Sequence, residues 1–157
     1  IQRRYNSRAE GIVVAITQSI CNSFKSEVLK AVHNFSASGG NTFKIALYTD
    51  DASLGPSTTV YTTTGEVSSS GTNYTAGGNT LTNVEPTTSN SVGFTDFADT
   101  SWSSASFTAR AALIYNSTNG NKAVAVLDFG IDREVSSSTF TVEFPDADSS
   151  NAIVRVK

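Results

Sequence analysis

One histidine and one cysteine bound the nucleophilic and metal chemistry open to this chain of 157 residues. A serine or cysteine nucleophile needs an imidazole or an equivalent base within hydrogen-bond reach, and His33 is the only imidazole available. It lies near the end of an amphipathic pattern rather than at a strand-to-helix elbow, and no GxSxG accompanies it. The expected role of His33 is to help satisfy carbonyl groups at a helix C-terminus. Cys21 stands at the start of the same pattern, where a helix dipole would lower a thiol's pKa, but a small apolar filler is the expected use. A lone cysteine forms no intramolecular disulfide and supplies neither a thiolate zinc cluster nor a CxxC redox pair.

The carboxylates gather as Asp50-Asp51, Asp96 with Asp99, Asp128 with Asp132 and Glu134, and Asp146 with Asp148, all near expected strand ends. Calcium accepts such oxygen ligands, but no run has the spacing of an EF-hand loop. Capping of turns is the expected job of these side chains, and spacing selects no two of them as a glycosidase pair. A Walker A loop and a GxGxxG turn between strand and helix are both missing from the sequence. No catalytic residue, cofactor or metal ligand is therefore assigned. Trp102 is expected as a core plug rather than a sugar-stacking platform. Asn116-Ser117-Thr118 spells an N-glycosylation sequon, a tripeptide that arises by chance in Asn- and Thr-rich loops, and a structural reading is preferred.

Composition narrows the classes further. The formal net charge is −3, charged residues make up 16% of the chain, and Ser, Thr, Asn and Gly fill much of the rest. Affinity for nucleic acid comes largely from Lys and Arg against phosphate, so this balance argues against a general nucleic-acid binder. The longest apolar runs, such as Ile12 to Ile16 and Ala123 to Leu127, fall far short of the roughly 20 residues that cross a bilayer, and no membrane partner is expected. Residues 1–18 read as an arm in which Arg3, Arg4 and Arg8 could dock on an acidic neighbour.

These residues need a scaffold, and the periodicity supplies one. Ile20, Phe24, Val28 and Val32 recur at four-residue spacing, with Leu29 and Ala31 widening the stripe, which predicts an amphipathic helix over about 20–33. Ser19 is the expected N-cap, and Gly39-Gly40 lie where the helical character has been lost. From Thr42 the period changes to two: Phe43, Ile45 and Leu47 alternate with Lys44, Ala46 and Tyr48, a half-buried strand. Further strands are expected at Thr80 to Val84, Val92 to Phe97, Ser106 to Tyr115, Lys122 to Phe129, Thr139 to Phe144 and Ala152 to Val156. The arms ending at Tyr115 and starting at Lys122 form a hairpin, with positive φ expected at Asn119-Gly120. The segment from Gly55 to Thr80 reads as a long ordered excursion anchored by Val60, Tyr61, Val67 and Tyr74. Residues 19–157 are thus expected to form one mainly antiparallel all-β domain, a β-sandwich or jelly-roll-like fold with one N-terminal amphipathic helix.

Five stretches carry a resemblance: "CNSFKSEVLKAVHNF" (Cys21 to Phe35), "TFKIALYT" (Thr42 to Thr49), "YTAGGNTLTNV" (Tyr74 to Val84), "FTDFADTSW" (Phe94 to Trp102) and "ALIYNSTNGNKAVAVLDFG" (Ala112 to Gly130). From about Ala15 onward the chain resembles a family of small virion structural proteins of tailed bacteriophages. Residues Ile1 to Val14 lie outside the resemblance. It implies a non-enzymatic virion component without a cofactor, whose partners are the major capsid protein or other virion proteins. The first expectation is a capsid decoration, or cement, protein on the outer shell, with a homo-oligomer, a trimer above all, suited to three-fold sites. The second is a tail or fibre module whose Tyr61 and Tyr74 contact a host-surface glycan. A depolymerase is a third reading, and it requires an acidic pair that the sequence does not single out.

Overall fold

The computed structural model describes residues 16–157. In chain order the elements are β1 (Ser19–Ile20), α1 (Asn22–Leu29), β2 (Phe43–Tyr48), β3 (Asn79–Thr80), β4 (Asn83–Ser89), β5 (Val92–Phe97), β6 (Thr100–Asn116), β7 (Lys122–Val142) and β8 (Val154–Val156). They form a five-stranded sheet of order β1-β7-β6-β2-β3 and a three-stranded sheet of order β4-β5-β8, every pair antiparallel. This is an all-β, sandwich-like fold with one short helix.

β2 shows how the layers meet. Its alternation predicts one wet face, yet Ala46 and Tyr48 are as inaccessible as Phe43, Ile45 and Leu47. The Phe43 ring stacks on Phe35 with centroids 4.4 Å apart and meets Phe97 of the small sheet at 5.6 Å. The opposite face is covered by the long excursion: Tyr48 donates to Thr62 O at 2.6 Å, and Tyr115, opposite Lys44, donates to Gly77 O at 2.7 Å. The excursion is therefore a packed layer, and the half-buried expectation for β2 is corrected for that reason.

The helix is shorter than its apolar stripe. It ends at Leu29 because Ala31 takes a left-handed φ of 58°, while Ala31 N–H donates to Val28 O and Val32 N–H to Glu27 O. This bond pattern is the Schellman motif, with alanine in the position usually held by glycine. At the other end Cys21, not Ser19, occupies the N-cap, makes no side-chain cap bond, and Ser19 instead pairs with Val126 in β1. Leu29, expected to join the buried stripe, is 88% exposed. Left-handed geometry costs a non-glycine residue about 1 kcal/mol, so Ala31→Gly is expected to raise stability by about that amount. Urea unfolding should show a higher midpoint at unchanged slope.

The β6–β7 hairpin is longer than its apolar arms. β7 absorbs the separate strand expected at Thr139 to Phe144, running through Gly130 (φ 81°) and Ser137 (φ 47°) with register shifts against β6. These bulges bend the ribbon until Phe129 and Phe140 lie 6.0 Å apart on one strand. At the hairpin tip the positive φ values fall on Gly120 and Asn121 rather than on Asn119. The strand expected at Thr80 to Val84 divides between the two sheets as β3 and β4, and the last strand shortens to β8. Trp102 is a core plug, buried against Tyr74, Phe107 and Phe140. Residues 16–18, grouped with the arm on sequence, are tied down: Ile16 bridges Leu54, and Asp128 N–H donates to Gln18 Oε1 at 3.0 Å. Arg3, Arg4 and Arg8 lie outside the described residues.

Candidate functional site

The polar side chains converge on two internal hubs. The first lies beneath the hairpin tip. Asn116, the last residue of β6, is 0% exposed; its Nδ2 donates to His33 Nδ1 at 3.1 Å and Asn41 Oδ1 at 2.9 Å. Its Oδ1 accepts from the backbone N–H of Thr118 at 3.1 Å and Asn119 at 3.2 Å. Asn119 Nδ2 in turn donates to Val32 O and Asn41 Oδ1. The tip thus clamps the loop between α1 and β2 onto the sheet. Burial of Asn116 also keeps its sequon out of reach of a glycosylating enzyme in the folded chain.

His33 is the pivot of this hub, not a helix-end cap. With Nδ1 accepting from Asn116, the ring proton sits on Nε2 and donates to Glu27 Oε2 at 2.8 Å. Both ring nitrogens are consumed, so the imidazole has no lone pair free for a nucleophile or a metal. Glu27 Oε1 also accepts from Lys122 Nζ at 3.3 Å, which joins α1 to the start of β7. Burial pushes the Glu27 carboxyl up, but hydrogen bonds from His33 and Lys122 and the charge of Lys122 outweigh it and hold the group below the usual glutamate range. A carboxylate with a depressed folded pKa stabilises the fold above its unfolded pKa and loses that contribution as pH falls through the folded value. The stability difference between wild type and Glu27→Gln is accordingly expected to shrink between about pH 6 and about pH 3, as read by urea unfolding at each pH.

The second hub is Glu66, in the excursion. Its Oε2 accepts from Tyr61 OH at 2.7 Å; its Oε1 accepts from Tyr74 OH at 2.7 Å and Gly77 N–H at 2.6 Å. Tyr74 OH accepts in turn from Leu47 N–H at 2.9 Å, which fastens the excursion to β2. Burial, followed by the hydrogen bonds to Glu66, raises the pKa of Tyr61 and Tyr74, and burial with the charge of Glu66 pushes Tyr115 up to about 12. The phenols remain protonated donors. The expected contact role of Tyr74 is corrected by its burial at 3% exposure, and half-buried Tyr61 stacks on Tyr115 with centroids 4.7 Å apart. The anchor reading holds for Val67 and Tyr74, whereas Val60 is exposed.

Several of the remaining acidic groups and the cysteine are also engaged or buried. Asp128 and Asp148 accept from Gly130 and Ser150 N–H, the turn-capping role expected of them, whereas Asp99 accepts from Phe144 N–H, far along the chain. Asp96 differs: it is buried, accepts from Phe97 and Ile153 N–H, and burial raises its pKa. Cys21 is fully buried, and burial with the charge of Glu27 pushes its thiol up to about 11. A thiol reagent at neutral pH is expected to modify folded protein at least about a hundredfold more slowly than a free thiol, and at the free-thiol rate in denaturant. Among the described residues no group of three or more His, Cys, Asp or Glu side chains is placed to hold a metal ion, and no helix is long and apolar enough to cross a membrane.

A concave surface of about 610 Å³ lies between the α1–β2 loop and the small sheet, beside His33, Phe35, Phe94 and Val156; two further ones are lined by Leu29 and by Ile131. Of these two, one is an apolar trough of about 360 Å³ between α1 and β8, floored by Ile20, Phe24, Val28 and Val154. The other, of about 590 Å³, lies in the bend of β7 beside Phe129, Ile131, Phe140 and Val142. Sequence reasoning missed both: the exposed Leu29 was assigned to the core, and the bend depends on bulges within a Ser-rich stretch that reads as a turn. Comparison with models of protein families, with curated proteins and with solved structures found no match to the chain.

Proposed function

We propose that the chain is a non-enzymatic structural component of a tailed-bacteriophage virion, in the first place a capsid decoration protein that binds the outer shell as a homo-oligomer. The observation that carries this reading is the commitment of its reactive side chains: His33, Glu27, Glu66, Asp96 and Cys21 are all bonded internally or buried. The carboxylates that do face outward in the bend of β7, Asp132, Glu134 and Glu143, have neither a histidine nor a thiol beside them. The five resembling stretches and the hydroxyl-rich β domain support the virion assignment. Major capsid protein is the partner this reading names.

The tail or fibre reading stands second. Its glycan contact has to be carried by residues other than Tyr74, since that phenol is buried against Glu66 and Leu47. Quantitative gel densitometry of purified particles separates the two: decoration predicts copies in proportion to the shell subunits, and a tail module predicts a handful. Hydrolysis of host polysaccharide by the isolated protein would contradict both.

A further inference from the structure

Leu29, Ile131 and Val156 are three of the four large apolar side chains most exposed among the described residues, and they fall on two concave surfaces that carry opposite charge. Leu29, at 88% exposure, and Val156, at 63%, rim the trough between α1 and β8. Its charged lining residues are Lys25 and Arg155, with no carboxylate among them. Ile131, at 58% exposure, belongs to the bend of β7, where the charged lining residues are Asp132, Glu134 and Glu143 against the single cation Arg133. Asp132 shares Arg110 at 3.8 Å, whereas Glu134 and Glu143 have no cationic side chain within 4.0 Å among the described residues.

The backbones beside these surfaces are also open. β1 covers β7 only at Ala125 and Val126, so among the described residues the outer edge of β7 beyond Leu127 has no strand partner. β8 is the terminal strand of the small sheet and likewise has no strand on its outer edge among the described residues. An exposed strand edge is a ready template for pairing with another chain, and pockets flanking it give the pairing specificity.

We propose that a second copy of this chain sets the rim of its trough between α1 and β8, with Leu29, Val156, Lys25 and Arg155, against the bend of β7, with Ile131, Glu134 and Glu143. Each apolar rim then covers the other, and each unpaired carboxylate meets a cation. The two surfaces share no lining residue, so every copy both gives and receives the contact. Such a head-to-tail interface propagates around a symmetry axis and closes into a ring when the rotation allows. The inference rests on the proposed function in its oligomeric aspect, naming the contact that would build the oligomer, and purified protein tests it without particles.

The test is sedimentation velocity of the full chain over a concentration series at low and high salt, with two charge-reversed variants. Wild type is expected to assemble with concentration and to dissociate as salt is added. Lys25→Glu with Arg155→Glu, and separately Glu134→Lys with Glu143→Lys, are expected each to weaken assembly by about a hundredfold or more, because like charges then face each other. An equimolar mixture of the two variants restores every charge pair and is expected to co-assemble. Thermal unfolding of each variant near the wild-type midpoint establishes that monomers are folded. Wild type that stays monomeric throughout overturns the proposal; so does a reversed variant that assembles alone, as a two-fold contact between β7 edges would allow, or a mixture of folded variants that stays monomeric. Failure here leaves shell location open to densitometry, and absence from the shell leaves this contact standing.

Discussion

Asn116→Ala is expected to lower the unfolding free energy by about 2–3 kcal/mol, because truncation removes the partner of the buried His33 ring and of two backbone donors at once. Thr118 and Asn119 N–H lose their common acceptor, and His33 Nδ1 loses its donor. Asn41 Oδ1 suffers less, since Asn34 N–H and Asn119 Nδ2 still reach it. Asn116→Asp provides the control. An aspartate keeps the acceptor for the two backbone donors but turns its second oxygen toward His33 Nδ1 and Asn41 Oδ1, in a site without solvent. A loss comparable to that of the alanine variant is therefore expected, as read by urea unfolding at unchanged slope. A cost below about 1 kcal/mol for Asn116→Ala would mean that the tip does not fasten the loop.

Gly78→Ala is expected to be more damaging still, at about 4 kcal/mol or more, or to prevent folding altogether. A Cβ on Gly78 would lie 1.8 Å from Ile45 O and 2.7 Å from the Ala46 Cα, inside the backbone of β2. No rotamer relieves a clash between main chains, so the excursion would have to leave the sheet and expose Tyr74. Gly71 separates this from a purely conformational cost. Its φ of 73° nearly equals the 75° of Gly78, but a Cβ there meets nothing within 4 Å. Gly71→Ala should cost only about 1 kcal/mol, the price of the left-handed backbone alone. Equal effects at the two positions would contradict the close packing of the excursion on β2.

The contrast between those glycines indicates where sequence reasoning succeeds. Period-two alternation at Phe43 to Leu47 and the apolar run at Ala123 to Val126 identify strands, although the alternation misses that β2 is covered on both faces. Burial of Trp102 follows from its size and its flanking strands. The end of α1 escapes because alanine, a strong helix former, adopts the left-handed position, while Gly39-Gly40, which resemble a stop, lie well beyond it. The outer half of β7 escapes because "GIDREVSSST" has the composition of a turn, yet it extends as a solvated, bulged ladder. Partnerships are less legible than elements. His33 and Asn116 are 83 positions apart, and only the tertiary fold brings a helix-end histidine beneath a hairpin tip. The same holds for Glu66, which gives no signal in sequence because its donors come from residues scattered through a hydroxyl-rich stretch.

Hydrogen exchange of three loop amides tests most directly whether the scarce polar chemistry of this chain is spent on holding loops to the sheet. Gly77 N–H is bonded to Glu66, and Thr118 and Asn119 N–H are bonded to Asn116; none of the three belongs to a strand. The account predicts protection of these amides close to that of β2, opening only with the bulk of the sheet. Exchange at the rate of solvated loop amides, with β2 still protected, would show that the two hubs do not fasten the structure and would contradict it.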